Sequence, residues 1–270
     1  MKSRKTLIFW SIVLGIIVFL TVFSAILSPH EPNDMNLDEV YLSPGEGHLL
    51  GTDHLGRDVF SRLLEGGKVT LTVATVAVLL SLVLGVLYGG FSGYVGGFVD
   101  TTMMRLLEVF ITIPSLVIIL AFQAFMHGGV WGMALIIGVT SWLTTARIVR
   151  SEFMRLKDAE FVQMAKMFGT PIWKIIFSHL LRNSVPAIFV VTLFNFAGAI
   201  FMEVSLSFLG IGVPPAIPSW GNMLYYAQND ILIGAWWIGL FPGILIFITI
   251  LAINYIGEAL KDPERRWFSA

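Results

Sequence analysis

Between Gly51 and Arg62 the sequence reads GTDHLGRDVFSR, which places two aspartates, a histidine, two arginines and a serine within twelve residues. Acid, base and hydroxyl side by side are the ingredients of hydrolytic catalysis. Their spacing points elsewhere. Asp53–Arg57 and Asp58–Arg62 are i,i+4 pairs with the acid first, the favourable order on a helix, so both acids are engaged by cations. A Gly-x-Ser-x-Gly nucleophile elbow is absent from the chain. Asp53 stands where it can cap a helix, and Phe60, Leu63 and Leu64 give that helix an apolar side. The stretch is predicted as an interfacial helix, with no catalytic residues.

A second candidate is Glu203, set within the otherwise uncharged reach from Ser184 to about Leu209. A carboxylate at mid-membrane costs about 2.5–3.5 kcal/mol on insertion scales, so it faces a wet cavity or a hydrogen-bonding neighbour. It is a candidate for the translocation path, with a structural hydrogen bond as the alternative. His30, His48, His54 and His127 are irregularly spaced, with no His-x3-His pair, and the chain holds no cysteine. That pattern lacks metal-ligand spacing, so no metal site is expected.

The elements that must hold these residues are membrane helices. Of 270 residues, 56% are hydrophobic and 13% charged, against about 25% charged in a soluble domain. The mean hydropathy is +0.81. A bilayer core of about 30 Å needs roughly 20 helical residues. Stretches that meet this run over 6–27, 69–99, 109–146 and 231–256, all uncharged, and over 184–209, where Glu203 is the one charge. The third is long enough for two crossings, divided at His127-Gly128-Gly129. The expectation is six transmembrane helices. The first follows Lys2, Arg4 and Lys5, and is longer than the roughly 7–15 apolar residues of a signal peptide, so it is read as a retained anchor.

Lysine and arginine set the orientation. With the N-terminus inside, 14 of the 17 fall on the cytoplasmic side, and Arg57, Arg62 and Lys68 fall outside. Both termini are then cytoplasmic. The expected organisation is a tip and first span over 1–28, an outer loop with its interfacial helix over 29–68, a five-helix core over 69–257, and a tail over 258–270. A net charge of −1 gives no electrostatic footprint for nucleic acid.

Inside lies the longest cytoplasmic piece, 147–183. Asp158 is placed to cap a helix with Glu160 in its first turn. Ala165 and Gly169 are four apart, which predicts a shared small-residue face. Thr170-Pro171 breaks the helix and opens the next, whose apolar stripe is Ile172, Ile175, Ile176 and Leu180. The pattern fits either a surface hairpin or a docking helix for a cytoplasmic partner.

This segment resembles the EAA loop of type I ABC-importer permeases. Ala165 and Gly169 match it, and His179-Leu180-Leu181-Arg182-Asn183 sits at the distance of the loop's end. Gln163 and Met164 replace its Glu and first Ala, and Arg182 its Pro. GTDHLGRDVFSRLLEGG resembles the signature of the peptide/nickel branch through Gly51, Thr52, Asp53, Gly56, Arg57, Asp58, Ser61 and Arg62. EVSLSFLGIGVPPAIPSWGNML and the tail GEALKDPERR resemble its fifth helix and its ending. The chain is similar to the C-type permease of such importers throughout its length.

The resemblance implies an all-α membrane fold, a five-helix type I permease core with one additional N-terminal helix, in a bacterial cell membrane. It implies a non-catalytic subunit that pairs with a second permease, two P-loop ATPases and an extracytoplasmic binding protein. Glu160, Gln163, Met164, Ala165, Gly169, Thr170, Pro171, His179 and Asn183 would form the ATPase-coupling segment. ATP and Mg would sit on the partners, since a Walker A pattern is absent here. Peptides, nickel and metal–chelator complexes of opine type are the implied cargoes, and the GTDHLGRD form leans toward nickel or metal chelates. The competing reading is a stand-alone secondary transporter or channel, which predicts inverted repeats and broken helices. An intramembrane hydrolase would need paired catalytic groups that the spans lack.

Overall fold

The computed structural model describes residues 2–45, 47–125 and 128–261. His127 and the tail from residue 262, with Arg265 and Arg266, lie outside the described residues. The described chain is helical: α1 Lys2–Val22, α2 Ser24–Leu27, α3 Val59–Val95, α4 Gly97–Thr112, α5 Ser115–Phe125, α6 Gly129–Lys157, α7 Glu160–Met167, α8 Ile172–Lys174, α9 Arg182–Phe208, α10 Trp220–Asp230 and α11 Trp237–Lys261. Between α8 and α9 the run Ile175–Leu181 is π-helical.

Five helices (α1, α3, α6, the run through α9, and α11) are long and apolar enough to cross a membrane. α4 and α5 reach that length and apolarity only as a pair, bent by 77° to one another, which makes them one broken span or a re-entrant loop. The bend has a local cause. Ile113 precedes Pro114 and is extended, at φ −89° and ψ 125°, because the proline ring excludes the helical conformation from its predecessor. The count is five crossings, or the expected six where α4 and α5 make one, and that pair begins at Gly97 rather than near residue 109.

The separate interfacial helix expected before Lys68 is instead the first turns of α3, whose 37 residues extend about 55 Å. The tightest helix pairing is α3 against α6. Gly85, Gly89 and Gly93 recur once per turn of α3, and a Cβ on Gly89 would stand 2.2 Å from the Ala146 carbonyl oxygen. Without a hydrophobic drive in lipid, close backbone approach through small residues is how such helices associate. Around that pair α9, α10 and α11 close an apolar core through Ile137, Ile200, Leu206, Trp220 and Ile253. The outer face of α1 is left exposed at Ile8, Phe9, Ile12, Ile16 and Phe19, and Trp10 stacks on Tyr255 at 5.2 Å. That makes α1 a peripheral helix on the core.

Candidate functional site: the segment after α6 and its buried ties

The segment after α6 is anchored by one apolar plug. Val162 of α7 is buried with Phe153 and Leu156 of α6, and with Ile175 and Leu180 of the π-helical run. Asp158 closes α6 rather than opening α7, whose N-cap is Ala159 without a side-chain cap. Glu160 does stand in the first turn of α7. That helix ends in a Schellman motif: Thr170 N–H donates to the Ala165 carbonyl and Gly169 N–H to that of Lys166, both at 3.0 Å. Gly169 lies past the helix end at φ +71° with open space beside it. It does not share a helical face with Ala165, as its spacing predicted; it supplies the left-handed turn that a Cβ would strain.

Pro171 is extended and precedes α8. Of the expected stripe, Ile175 and Leu180 are buried and Ile176 half-buried, but Ile172 is exposed. The 3.6-residue period fails because α8 is three residues long and the wider π turn takes over. Gln163 donates to the Lys157 carbonyl and Asn183 to that of His179. His179 also faces Phe161, ring to ring at 6.3 Å. The other side of the segment is exposed and apolar: Met164, Met167, Phe168, Ile172, Trp173 and Phe177, with Met167 and Phe168 87% and 84% exposed.

Above it, Arg150 of α6 forks onto both carboxylate oxygens of Asp100 on α4, and Ser92 of α3 donates to the same group. Three helices are thus tied at the end of the membrane core nearest the segment. Glu203 plays the same part at the other end. It is 0% exposed; Thr70 of α3 and Ser207 donate to its two oxygens, each at 2.9 Å. Thr70 in turn accepts from the Trp220 backbone N–H. The structure places Glu203 in a sealed junction of α3, α9 and α10 within this one chain.

The Gly51–Arg62 signature folds as a knot rather than a helix up to Asp58, where α3 begins. Asp53 accepts from the backbone N–H groups of Leu55 and Arg57, and from Arg57 Nε at 2.8 Å. The predicted Asp53–Arg57 pair is therefore present, but across a turn. The Asp58–Arg62 pair is not. Arg62 lies 3.7 Å from Asp53, while Asp58 caps α3 by accepting from Ser61 N–H at 2.7 Å. Thr52 donates to the Glu39 carbonyl and its own carbonyl accepts from Trp237 Nε1. At Gly56 (φ +69°) a Cβ would collide with Asn36 O at 1.7 Å, and at Gly51 one would reach within 2.5 Å of Leu42 O. These residues seat the loop between α2 and α3 on the core.

Nearby, Tyr41 donates to Asp230 Oδ1 at 2.9 Å. Burial first, then that hydrogen bond and the charges of Asp230 and Asp53, push the Tyr41 phenol up to about 12. His54 Nδ1 lies 3.5 Å from the other oxygen of Asp230. His30 and His48 converge on Asp58, a juxtaposition that their sequence spacing gave no reason to expect.

Residues 81–262 match the family model described as "Binding-protein-dependent transport system inner membrane component". The chain belongs to that family. It is a permease subunit of the ABC-importer class, a membrane component and not an enzyme. The dipeptide transport system permease of Bacillus subtilis is 39% identical over 252 residues, covering 92% of this chain and 79% of that one. The oligopeptide transport system permease of the same organism is 31% identical, covering 97% and 85%. The glutathione transport system permease of Pectobacterium atrosepticum is 34% identical, covering 92% and 82%. A solved structure described as an amino acid ABC transporter with histidines aligns with TM-score 0.53 at 15% identity, over 76% of this chain and 94% of that one. That likeness concerns the fold.

Asp100 is the permease residue that sequence reasoning missed. Its signal was present: it is the first acid after the uncharged reach 69–99, where an acid must find a partner or water. The match in sequence and fold assigns no role to single residues.

Proposed function

We propose that the chain is one of two permeases of an ATP-driven importer for short peptides, with the 147–183 segment as its contact with a cytoplasmic ATPase. The observation that carries this reading is the exposed apolar face of Met164, Met167, Phe168, Ile172, Trp173 and Phe177, mounted on a buried plug that fixes it to α6. Exposed apolar surface rimmed by polar residues marks a protein interface. The count of 14 lysines and arginines against 3 supports a cytoplasmic location for that face and for both termini.

A second permease would cover α4 and α5, where among the described side chains Leu107 and Ile119 are buried and Leu106, Val109, Phe110 and Phe122 are exposed. Two ATPases would hold ATP and Mg, and closing on ATP they would draw the two coupling segments together. Helices tied through Asp100–Arg150 would move with them as a rigid body, so that the path between permeases opens outward and, after hydrolysis, inward. A binding protein would deliver cargo to the outer face. Peptide cargo draws its support from the peptide and dipeptide names of the relatives; the lean toward nickel or metal chelates finds none among them.

Purification of the tagged chain from its native membrane, with mass spectrometry of what accompanies it, tests the reading. A P-loop ATPase and a second permease at stoichiometric levels are expected. A chain that runs alone under all mild conditions would sink it. Because the chain holds no cysteine, a single Trp173→Cys should then cross-link to that ATPase.

A further inference from the structure

We propose that His30, His48 and Asp58 form a resident site for one divalent transition-metal cation of the zinc class on the outer face. The inference rests on the chemistry of these residues alone and is independent of the transport reading. His30 follows α2, His48 lies in the outer loop and Asp58 caps α3. The fold brings one ligand atom of each within 4.8 Å of the others. The His48 Nδ1–Asp58 Oδ1 and His30 Nδ1–Asp58 Oδ1 separations are 2.8 and 3.8 Å. They bracket the roughly 3.3 Å between ligand atoms around a tetrahedral ion with bonds of about 2.0–2.1 Å.

The proton inventory of His48 points the same way. This buried ring has a carboxylate at each nitrogen: Asp58 Oδ1 at 2.8 Å from Nδ1 and Glu39 Oε2 at 3.4 Å from Nε2. A neutral imidazole has one N–H to give. A cation on Nδ1 satisfies Asp58 and leaves the proton on Nε2, donated to Glu39. That is the carboxylate–histidine–metal arrangement that orients ligands in metal proteins. Asp58 is oriented too, since its Oδ2 accepts from Ser61 N–H. Ser61 Oγ also accepts from His30 N–H at 3.3 Å, fixing the third ligand to the same turn. The nearby cations are held by other groups: Arg57 binds Asp53, and Arg62 donates through Nη1 to Pro32 O and Asn33 Oδ1, its Nη2 lacking a partner among the described residues.

Two imidazoles and one carboxylate suit zinc-class ions over magnesium or calcium. The His30 side chain is 44% exposed, which leaves an approach and a fourth position for water. A bound ion would staple the loop after α2 to the head of α3.

The test uses the full chain in detergent, with a purification tag free of histidine and prior treatment with chelator. Zinc uptake by equilibrium dialysis and the tetrahedral cobalt absorption band are read. Wild type should take up one ion per chain and gain thermal stability with zinc. His30→Ala, at an exposed ring, should keep its metal-free melting point and lose both. Glu39→Gln should raise the dissociation constant about tenfold, and His54→Ala should bind as wild type does. Wild type that takes up no ion, or His30→Ala or His30→Gln that binds as tightly as wild type, would overturn the proposal; so would loss of the ion in His54→Ala.

Discussion

Thr70 on α3 and Glu203 on α9, 133 residues apart, share a 2.9 Å hydrogen bond in which the hydroxyl donates to a carboxyl group sealed from solvent. Glu203→Ala strands two buried hydroxyls, each worth about 1–3 kcal/mol when left unpaired, and opens a cavity. It should lower the melting point of the purified chain by the equivalent of about 3 kcal/mol. Glu203→Gln keeps the volume and an acceptor and should stay close to wild type. A Glu203→Ala chain of normal stability that no longer transports would move this residue onto the cargo path.

The fork between Arg150 and Asp100 is a second tie. Asp100 is buried and Arg150 partly solvated, so removing the acid strands a cation with some access to water. Asp100→Ala should cost about 2 kcal/mol, below the 3–5 typical of a fully buried pair. A double-mutant cycle with Arg150→Met checks it: additive losses would mean that the two residues do not interact.

Close approach of α3 and α6 makes Gly89 intolerant of any side chain. Gly89→Ala drives a methyl into the Ala146 carbonyl, an overpacking cost of about 1–3 kcal/mol or more. Gly15→Ala on α1 meets nothing within 4 Å and should leave stability unchanged or slightly raised through helix propensity. Melting points of the two variants side by side decide the matter.

Gly169 turns the chain in a left-handed conformation at the end of α7. Gly169→Asn should be tolerated, since asparagine visits that region. Gly169→Val should cut transport severalfold while the protein still inserts and melts normally, because the strain is local to the segment. Gly169→Arg should also abolish transport at normal membrane levels. Uptake assays scaled to membrane abundance test all three, and normal uptake by the Val and Arg variants would remove the segment from coupling.

Tyr41 should be a late-titrating tyrosine. Its folded pKa lies above the ordinary 10, at about 12, so the neutral phenol is the favoured form. Its contribution to stability is complete below pH 10 and is lost as pH rises toward 12. Ultraviolet titration should show a late tyrosinate component that Tyr41→Phe diminishes, and an unchanged late phase in that variant would assign it elsewhere.

Much of the molecule was legible before any fold was known. Apolar length against bilayer thickness located five of the long helices, and Gly51–Arg62 with Ala165–Asn183 carried the family resemblance; the third expected span is the bent pair α4 and α5, broken at Pro114. What failed did so for stated reasons. Asp58 and Arg62 have helical spacing, yet the helix begins at Val59, so Asp58 faces Ser61 N–H and the histidines. Ala165 and Gly169 are four apart, yet α7 stops at Met167, so Gly169 belongs to a turn. Local periodicity assumes that an element continues, and capping decides where it ends.

By itself, then, the sequence determined the apolar helical class and the family, because these follow from composition and from contiguous residues. Only the tertiary structure decided who meets Glu203, Asp100 and His48. Their partners stand 133 residues away for Thr70, 50 for Arg150 and 10 for Asp58. Such pairings are set by how helices pack and loops close. In a membrane core a polar group must find its partner across the bundle, wherever in the chain that partner lies.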